Sequence, residues 1–465
     1  MELPAKPKKS KLTLYIILAL FAGIAMGFVL NKSYVDTENN QLAAVQLSID
    51  QANESLRTLT DSSSRAQLIE VKKGFNRERN SILAARDKKV EPFSILADIF
   101  LRLIKMIVAP LVFTTLVVGV AKLGDISSVG RIGGKTLLWF IGASLISLTL
   151  GTVLVNIFEP GIAMNLPLPD VSEDTGIVRT GLSLKEFLYH VFPSSFIEAM
   201  AKNEILQIVV FSLFFGVATA AIGEQGKLII NFMDAAAHVI LKVTGYVMNL
   251  APVAVFGAMA AIIAKQGLGI LTTYSIFIGE FYFGLLLLWL VLAAAGYLMI
   301  GKRITDLLRR VKEPILLAFS TSSSEAAFPK TMEELQRFGC KDKIVSFVLP
   351  LGYSFNLDGS MMYMTFASLF IAQSYGIHLP VATQISMMLV LMITSKGIAG
   401  VPRASLVVIA GTLATFNIPE AGLALLLGID PLLDMGRSAT NVVGNSVATA
   451  AVSKWENALT EPLVE

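Results

Sequence analysis

The sequence predicts an all-α integral membrane protein, and three observations carry that expectation. Hydrophobic residues make up 54% of the 465 positions and charged residues only 16%, whereas a soluble domain carries about 25% charged residues. Mean hydropathy is +0.66. Apolar runs recur at about 12–31, 94–121, 135–158, 203–222, 228–264, 273–300, 344–373 and 421–452, and about 20 apolar residues in a helix cross the hydrocarbon core of a bilayer. These runs make eight candidate spans.

Charge orders them. Lys6, Lys8, Lys9 and Lys11 precede the first run and place the N-terminus in the cytoplasm, because basic residues concentrate in cytoplasmic loops. That run lacks a small-residue cleavage site, so 1–32 reads as a retained first span. Residues 33–93 are polar, nearly free of aromatics and helix-forming in composition. They fit a helical hairpin outside the membrane, either a solvated insertion or a partner-binding or assembly element. The second span is 94–121, and the basic loop with Lys122, Arg131 and Lys135 then falls inside, within the third segment 122–158. The loop at 159–186 falls outside, carrying Glu159, Asp170, Glu173 and Asp174 against Arg179 and Lys185. It opens a segment, 159–271, that holds two spans. The span in 272–312 ends inside, at Lys302, Arg303, Arg309, Arg310 and Lys312.

The C-terminal half behaves differently. Residues 313–341 and 376–418 are partly apolar but broken by Gly, Pro and Ser, while 342–375 and 419–465 each carry a stronger apolar run. Topology requires both broken segments to enter and leave on one side, the first from the cytoplasm and the second from outside. Irregular backbone at membrane depth persists only where protein or a water-lined cavity satisfies its polar groups. Two such segments in corresponding positions point to inverted repeats around a midplane site.

Several function classes fall away. A net charge of +3 is too small to suggest nucleic acid as a partner. Cys340 is the single cysteine, which rules out an intrachain disulfide. His190, His238 and His378 have no metal-ligand spacing, and His238 lies on an apolar face where a hydrogen-bonded packing role is expected. No P-loop occurs, which argues against an ATP-driven pump. Serines 320 and 322–324 cluster without a histidine, and no GxSxG occurs, which leaves a serine hydrolase without its base. A passive anion channel stays open until concentrative uptake is measured.

Four motifs carry the chemistry. In the stretch 318–335, Ser320, Thr321, Ser322, Ser323, Ser324 and Glu325 crowd a hairpin tip. A helix starting just after it aims free N–H groups at a bound anion. In the stretch 351–373, Asn356, Asp358, Gly359 and Ser360 interrupt an apolar helix; a buried aspartate there is costly unless paired or functional. Gly359 permits unwinding that frees carbonyls for a cation. In the stretch 395–413, Gly397, Gly400 and Pro402 form a tip able to hinge as a lid, with Lys396 and Val401 beside it. In the stretch 429–456, Asp430, Asp434, Arg437, Asn441 and Asn445 follow at spacings of 4, 3, 4 and 4, which is one helical stripe. A guanidinium can grip a carboxylate through two parallel hydrogen bonds, and Asp434 can accept from an ammonium. An internal Asp434–Arg437 salt bridge is the competing reading of that stripe.

In order and spacing these motifs resemble the dicarboxylate/amino acid:cation symporter family, over essentially the whole chain except 33–93. The resemblance implies eight transmembrane helices, two re-entrant hairpins, a homotrimer and an elevator motion of a transport domain past a scaffold. It implies a multi-pass protein of a bacterial inner membrane that needs no cofactor. It assigns the 376–418 hairpin as the extracellular gate. By carry-over, Arg437 binds the substrate side-chain carboxylate and Asp434 its amino group. Asn441 and the tip at Ser322, Ser323 and Ser324 hold the α-carboxylate. Ser360 and Ser438 add hydroxyls, and Gly400 and Val401 add backbone contacts. Because Asp434 serves an ammonium, glutamate or aspartate is expected, with a C4-dicarboxylate as the alternative.

The coupling ion follows from departures. Sodium-driven members place an aspartate at the position of Asn445, and a second sodium site draws on positions that here are Phe140, Ala143 and Ser144. Hard cations need oxygen ligands, and Lys396 adds positive charge near a third site. Tip residue Glu325 and the Gly444–Asn445 pair are similar to the proton-coupled branch. Proton symport is therefore expected, with Glu325, Asp358, Asp430 or Asp434 as carriers. Met364 replaces a glutamate that animal relatives use. Sodium symport through Asn356 and backbone carbonyls, Gly352 among them, is the alternative.

Overall fold

The computed structural model describes residues 12–58, 61–121, 126–164, 168, 189, 191–267, 274–395, 404–427 and 429–461. All of their principal elements are helices: α1 (Leu12–Ser33), α2 (Asp36–Thr58), α3 (Ser62–Ala121), α4 (Ile126–Phe158), α5 (Ile205–Ala221), α6 (Gly226–Met248), α7 (Ala251–Gln266) and α8 (Ser275–Ile300). Then come α9 (Arg303–Arg310), α10 (Lys312–Thr321), α11 (Ser324–Phe338), α12 (Asp342–Phe355), α13 (Asp358–Ser374), α14 (Val381–Thr394), α15 (Ala404–Thr415) and α16 (Asp430–Trp455). Five of the described helical stretches are long and apolar enough to cross a membrane: Leu14–Ser33, Ser63–Ala121, Ser127–Ala163, Gly223–Met248 and Ser275–Ile300.

Packing sorts the helices into two groups. In the first, α3 packs on α2, α5, α6 and α7, and α1 lies along α7. That last contact is close because Gly23 and Gly27, four apart, face it. A Cβ on Gly23 would sit 2.7 Å from the Phe256 carbonyl oxygen, and one on Gly27 2.8 Å from that of Ala260. Small residues at this spacing let backbones approach where lipid offers no hydrophobic drive. In the second group α16 is the axis, with α4, α8, α9, α10, α11, α12 and α13 packed around it. It is buried along nearly its whole length, so its polar residues face protein rather than lipid. The groups meet where α3 and α5 touch α12, α3 touches α11, and α1 and α7 touch α10.

Four expectations change. The polar stretch 33–93 is indeed helical, but no break separates it from the second span. α3 runs for 60 residues through Pro92 and Pro110, about 90 Å at 1.5 Å per residue. α2 lies against it through Val45, Ile49, Ala52 and Leu56. Val35, Val90, Ala261 and Ala264 form a small core at the base of this pair. Beside it Lys89 meets Glu38 at 2.6 Å and Lys265 meets Asp87 at 3.4 Å. The Lys89 hydrogen bond holds the Glu38 carboxyl below its ordinary range.

The apolar run 228–264 is two helices, because the chain turns at Asn249–Leu250 and Pro252 opens α7; proline fits a first turn, where its missing N–H is not needed. The third change is at 356–360. The break falls on Asn356 and Leu357, and Gly359 lies inside α13. Gly359 serves close approach rather than unwinding, since a Cβ there would sit 2.5 Å from the Arg437 carbonyl oxygen. His238 is exposed rather than packed, with its Nδ1 2.7 Å from the Asp234 carbonyl oxygen.

The glycine contact of α1 is testable. Overpacking a close contact costs about 1–3 kcal/mol, so Gly27→Ile should lower the thermal midpoint of the detergent-solubilised protein by several degrees. An unchanged midpoint would show that the α1–α7 contact is not tight in solution.

Candidate substrate site

The site forms where the serine tip at 322–324 and the helix break at 356–360 meet the N-terminal half of α16. Arg437 is 1% exposed, and its Nη2 lies 3.1 Å from Asp430 and 3.0 Å from Asp434. The guanidinium stacks over the Tyr363 ring at 4.1 Å, and the Tyr363 hydroxyl donates to the same Asp430 oxygen at 3.2 Å. Arg437 Nε and Nη1 are buried without a hydrogen-bond partner among the described residues. Asp430 is buried like the arginine, at 2%, but the Asp434 side chain keeps 31% exposure. The Asp434–Arg437 salt bridge weighed from the sequence is therefore present. It occupies only one edge of the guanidinium.

Next along the stripe, Asn441 Oδ1 accepts from the Gly359 N–H at 2.9 Å and the Ser360 N–H at 3.4 Å, and its Nδ2 donates to Ser360 Oγ at 3.3 Å. The asparagine thus receives the free amides at the start of α13, which a broken helix must satisfy. Ser438 is buried beside Arg437 in the chain. Ser322, at φ 51°, ends α10 and sets its Oγ 3.4 Å from the Pro431 carbonyl oxygen, so the serine tip sits at the start of α16. Ser323 caps α11 by accepting from the Ala326 N–H at 3.3 Å. Ser324 and Glu325 are the first two residues of α11 and are half-buried.

Deeper in the protein lies a second polar cluster. Asn356 Nδ2 donates to Asp358 at 3.0 Å and to Asn445 Oδ1 at 3.3 Å, and Ser147 of α4 donates to Asp358 at 3.4 Å. Asn356 Oδ1 and Asn445 Nδ2 are buried without partners among the described residues. Gly444 is required here, because a Cβ would overlap the Asp358 carboxylate. Phe140 is buried, and its ring lies 3.4 Å from where a Cβ on Gly352 would sit. Ala143, Ser144 and Met364 are buried as well. Lys396, Gly397, Gly400, Val401 and Pro402 lie outside the described residues.

A profile of the sodium:dicarboxylate symporter family matches residues 12–455. The chain belongs to that family. Among its relatives, a proton/sodium-glutamate symport protein of Geobacillus stearothermophilus is 42% identical over 371 residues, 79% of this chain and 88% of the relative. A C4-dicarboxylate transport protein of Bacillus subtilis is 40% identical over 80% of this chain and 89% of its own length. Another of that name, from Rhizobium leguminosarum, is 42% identical over 78% and 83%. This family member is a membrane symporter and not an enzyme.

Two residues of the candidate site, Tyr363 and Ser147, stand outside the residues singled out in the four sequence motifs. Tyr363 braces both the arginine and Asp430, and its signal was a lone phenol in an apolar helix, where a buried hydroxyl needs a partner. Ser147 reaches Asp358 from α4. It lies three residues beyond Ser144, on the same helix face.

Gly444→Ala tests this packing. The added methyl displaces Asp358, and with overpacking costing about 1–3 kcal/mol, uptake of labelled substrate should fall to about a tenth or less. Wild-type uptake in this variant would place Asp358 away from α16.

Proposed function

We propose that this symporter takes up L-glutamate or L-aspartate, driven by protons. The observation that carries the substrate class is the half-used guanidinium of Arg437. Two of its three nitrogens, Nε and Nη1, are buried and unpartnered among the described residues, beside the partly exposed carboxylate of Asp434. Unpaired buried donors on a charged group cost free energy, and a carboxylate ligand offsets that cost with two parallel hydrogen bonds. An ammonium on the same ligand meets Asp434. A simple C4-dicarboxylate satisfies the arginine but leaves Asp434 unanswered, which is why the amino acid is favoured. Relatives of both names match at about the same identity, so identity does not separate the two substrates.

In this reading Asn441 and the serine tip at 322–324 hold the α-carboxylate, and Ser360 and Ser438 add hydroxyls. Gly400 and Val401 close the site from the 376–418 segment. Eight spans and two re-entrant hairpins, α10–α11 and α14–α15, embed the site in a bacterial inner membrane with the N-terminus in the cytoplasm. The two spans assigned to 159–271 are shared among α5, α6 and α7. The group around α16 travels as an elevator past a trimeric scaffold of α1, α3, α5, α6 and α7.

Proton coupling is favoured because the deeper cluster pairs Asp358 with an amide, Asn356, whose other partner is again an amide, Asn445. Position 445 is an amide where the sodium-driven members carry a carboxylate, so this cluster offers one carboxylate rather than two. The carrier is one of Glu325, Asp358, Asp430 and Asp434, with Lys396 contributing to the local field. Sodium is the second reading, favoured by the unpartnered Asn356 Oδ1 beside Asp358.

Purified protein in proteoliposomes should accumulate labelled L-glutamate under an inward proton gradient without sodium. Breaking a buried charge pair costs about 2–5 kcal/mol, so Arg437→Ala should lower this uptake by about a hundredfold. Uptake that needs sodium would replace the coupling assignment and leave the arginine receptor standing.

A further inference from the structure

The end of α8 carries a surface that the substrate site leaves unused. α8 is long and apolar enough to cross a membrane, and Leu286, Leu290 and Tyr297 are exposed along it. Their spacings of 4 and 7 make one stripe. Tyr297 and Leu298 lie in its last turn, and Leu298 is 81% exposed. Tyrosines gather where hydrocarbon gives way to headgroups, so Tyr297 places the end of α8 at the membrane surface.

The chain turns there instead of leaving. Gly301, at φ 60°, ends α8, and α9 folds back against it, since a Cβ on Gly296 would sit 2.6 Å from Ile304 Cδ1. Ile304, Leu307 and Val311 are buried in the core, and their spacings of 3 and 4 turn one face of the helix inward. Lys302 and Arg309, seven residues apart, are both exposed on the opposite face. Lys312, exposed as well, opens α10 directly afterwards. Arg303 is used by the fold, donating to the Phe338 and Thr460 carbonyls at 2.9 Å and 2.8 Å. Asp306 lies 3.5 Å from Arg309, but both side chains are more than half exposed. Such a pair contributes little, which leaves Arg309 able to take a stronger anion. The apolar face alone holds α9 in place, so its outer charges are not needed for folding.

We propose that Lys302, Arg309 and Lys312 form a docking surface for anionic phospholipid headgroups, with the acyl chains lying along the exposed apolar stripe of α8. Charge complementarity selects an anion, and the adjoining stripe makes that anion a lipid. A free phosphate would meet the three bases and gain nothing from Leu290, Tyr297 and Leu298. The proposal needs α8 to span the membrane, and it is independent of substrate and coupling ion. Because α9 packs on α8, α10, α11 and α16, the headgroups grip the helix group that carries Arg437 rather than the group around α3.

The experiment follows the thermal midpoint of the full-length protein in neutral detergent micelles doped with phosphatidylglycerol or with phosphatidylcholine of the same chain length. Each base near an anionic surface strengthens binding about fivefold. Phosphatidylglycerol should therefore raise the midpoint at about a hundredfold lower concentration than phosphatidylcholine, and added salt should narrow that gap. Combining Lys302→Gln, Arg309→Gln and Lys312→Gln should abolish the preference, whereas Lys302→Arg with Lys312→Arg should keep it. Lys302→Gln alone, at an exposed position, should weaken the preference about fivefold, which keeps the test open if the triple variant does not fold. Equal responses to the two lipids in wild-type protein, or a preference that survives loss of the three charges, would overturn the proposal. Glycerol phosphate that reproduces the shift at the same concentration would also overturn it, because the bases would then hold a free phosphate and not a lipid.

Discussion

One buried guanidinium organises this protein. Arg437 is 1% exposed within a symporter whose helices cross a bilayer, and a charge at that depth survives only when paired and hydrogen-bonded. Asp430 and Asp434 supply the charge, and Tyr363 supplies a ring face and a hydroxyl that steadies Asp430. The two carboxylates differ in their surroundings. Asp430 is sealed in the core, so it holds the arginine in place permanently, whereas Asp434 keeps a third of its surface exposed and can change partners. That inequality leaves one carboxylate sealed on the arginine and the other accessible beside it.

The surrounding architecture serves to bury α16 without burying unpaired backbone. α13 crosses α16 where Gly359 meets the backbone of Arg437, and α8 is tied alongside by Tyr282 donating to the Leu432 carbonyl and Trp289 donating to Thr440. The break at Asn356–Leu357 costs helical hydrogen bonds. Asn441 recovers part of that cost by accepting the amides of Gly359 and Ser360. One asparagine thus closes the helix break from the same stripe of α16 that carries Arg437, which links the candidate site's geometry to the integrity of α13. Gly444 extends the same close packing down to Asp358.

Much of this was legible in the sequence because the chemistry is concentrated on few positions. The stripe Asp430, Asp434, Arg437, Asn441 and Asn445 follows from helical periodicity alone, and the serine tip at 322–324 announces a turn. What was not legible depends on contacts between distant segments. Ser147 and Tyr363 gain meaning only from what they face, Asp358 and Arg437. The role of Gly359 was misassigned because a glycine beside an Asn-Leu-Asp sequence suggests unwinding, and only the crossing with α16 shows close approach. The 60-residue course of α3 was hidden by its change from polar to apolar, since hydropathy marks where a helix meets lipid and not where it ends. Pro252 did sit in the run 228–264 as a visible punctuation mark, and it opens α7.

The central claim is that Asp434 and Arg437 together form a receptor for an ammonium and a carboxylate on one molecule. Calorimetric titration of purified wild-type and Asp434→Asn protein with L-aspartate and with succinate tests it most directly. Wild-type protein should bind L-aspartate in preference to succinate, and Asp434→Asn should lose L-aspartate binding by far more than succinate binding. Equal losses for both ligands, or wild-type protein that prefers succinate, would contradict it and leave Asp434 as a structural partner of Arg437.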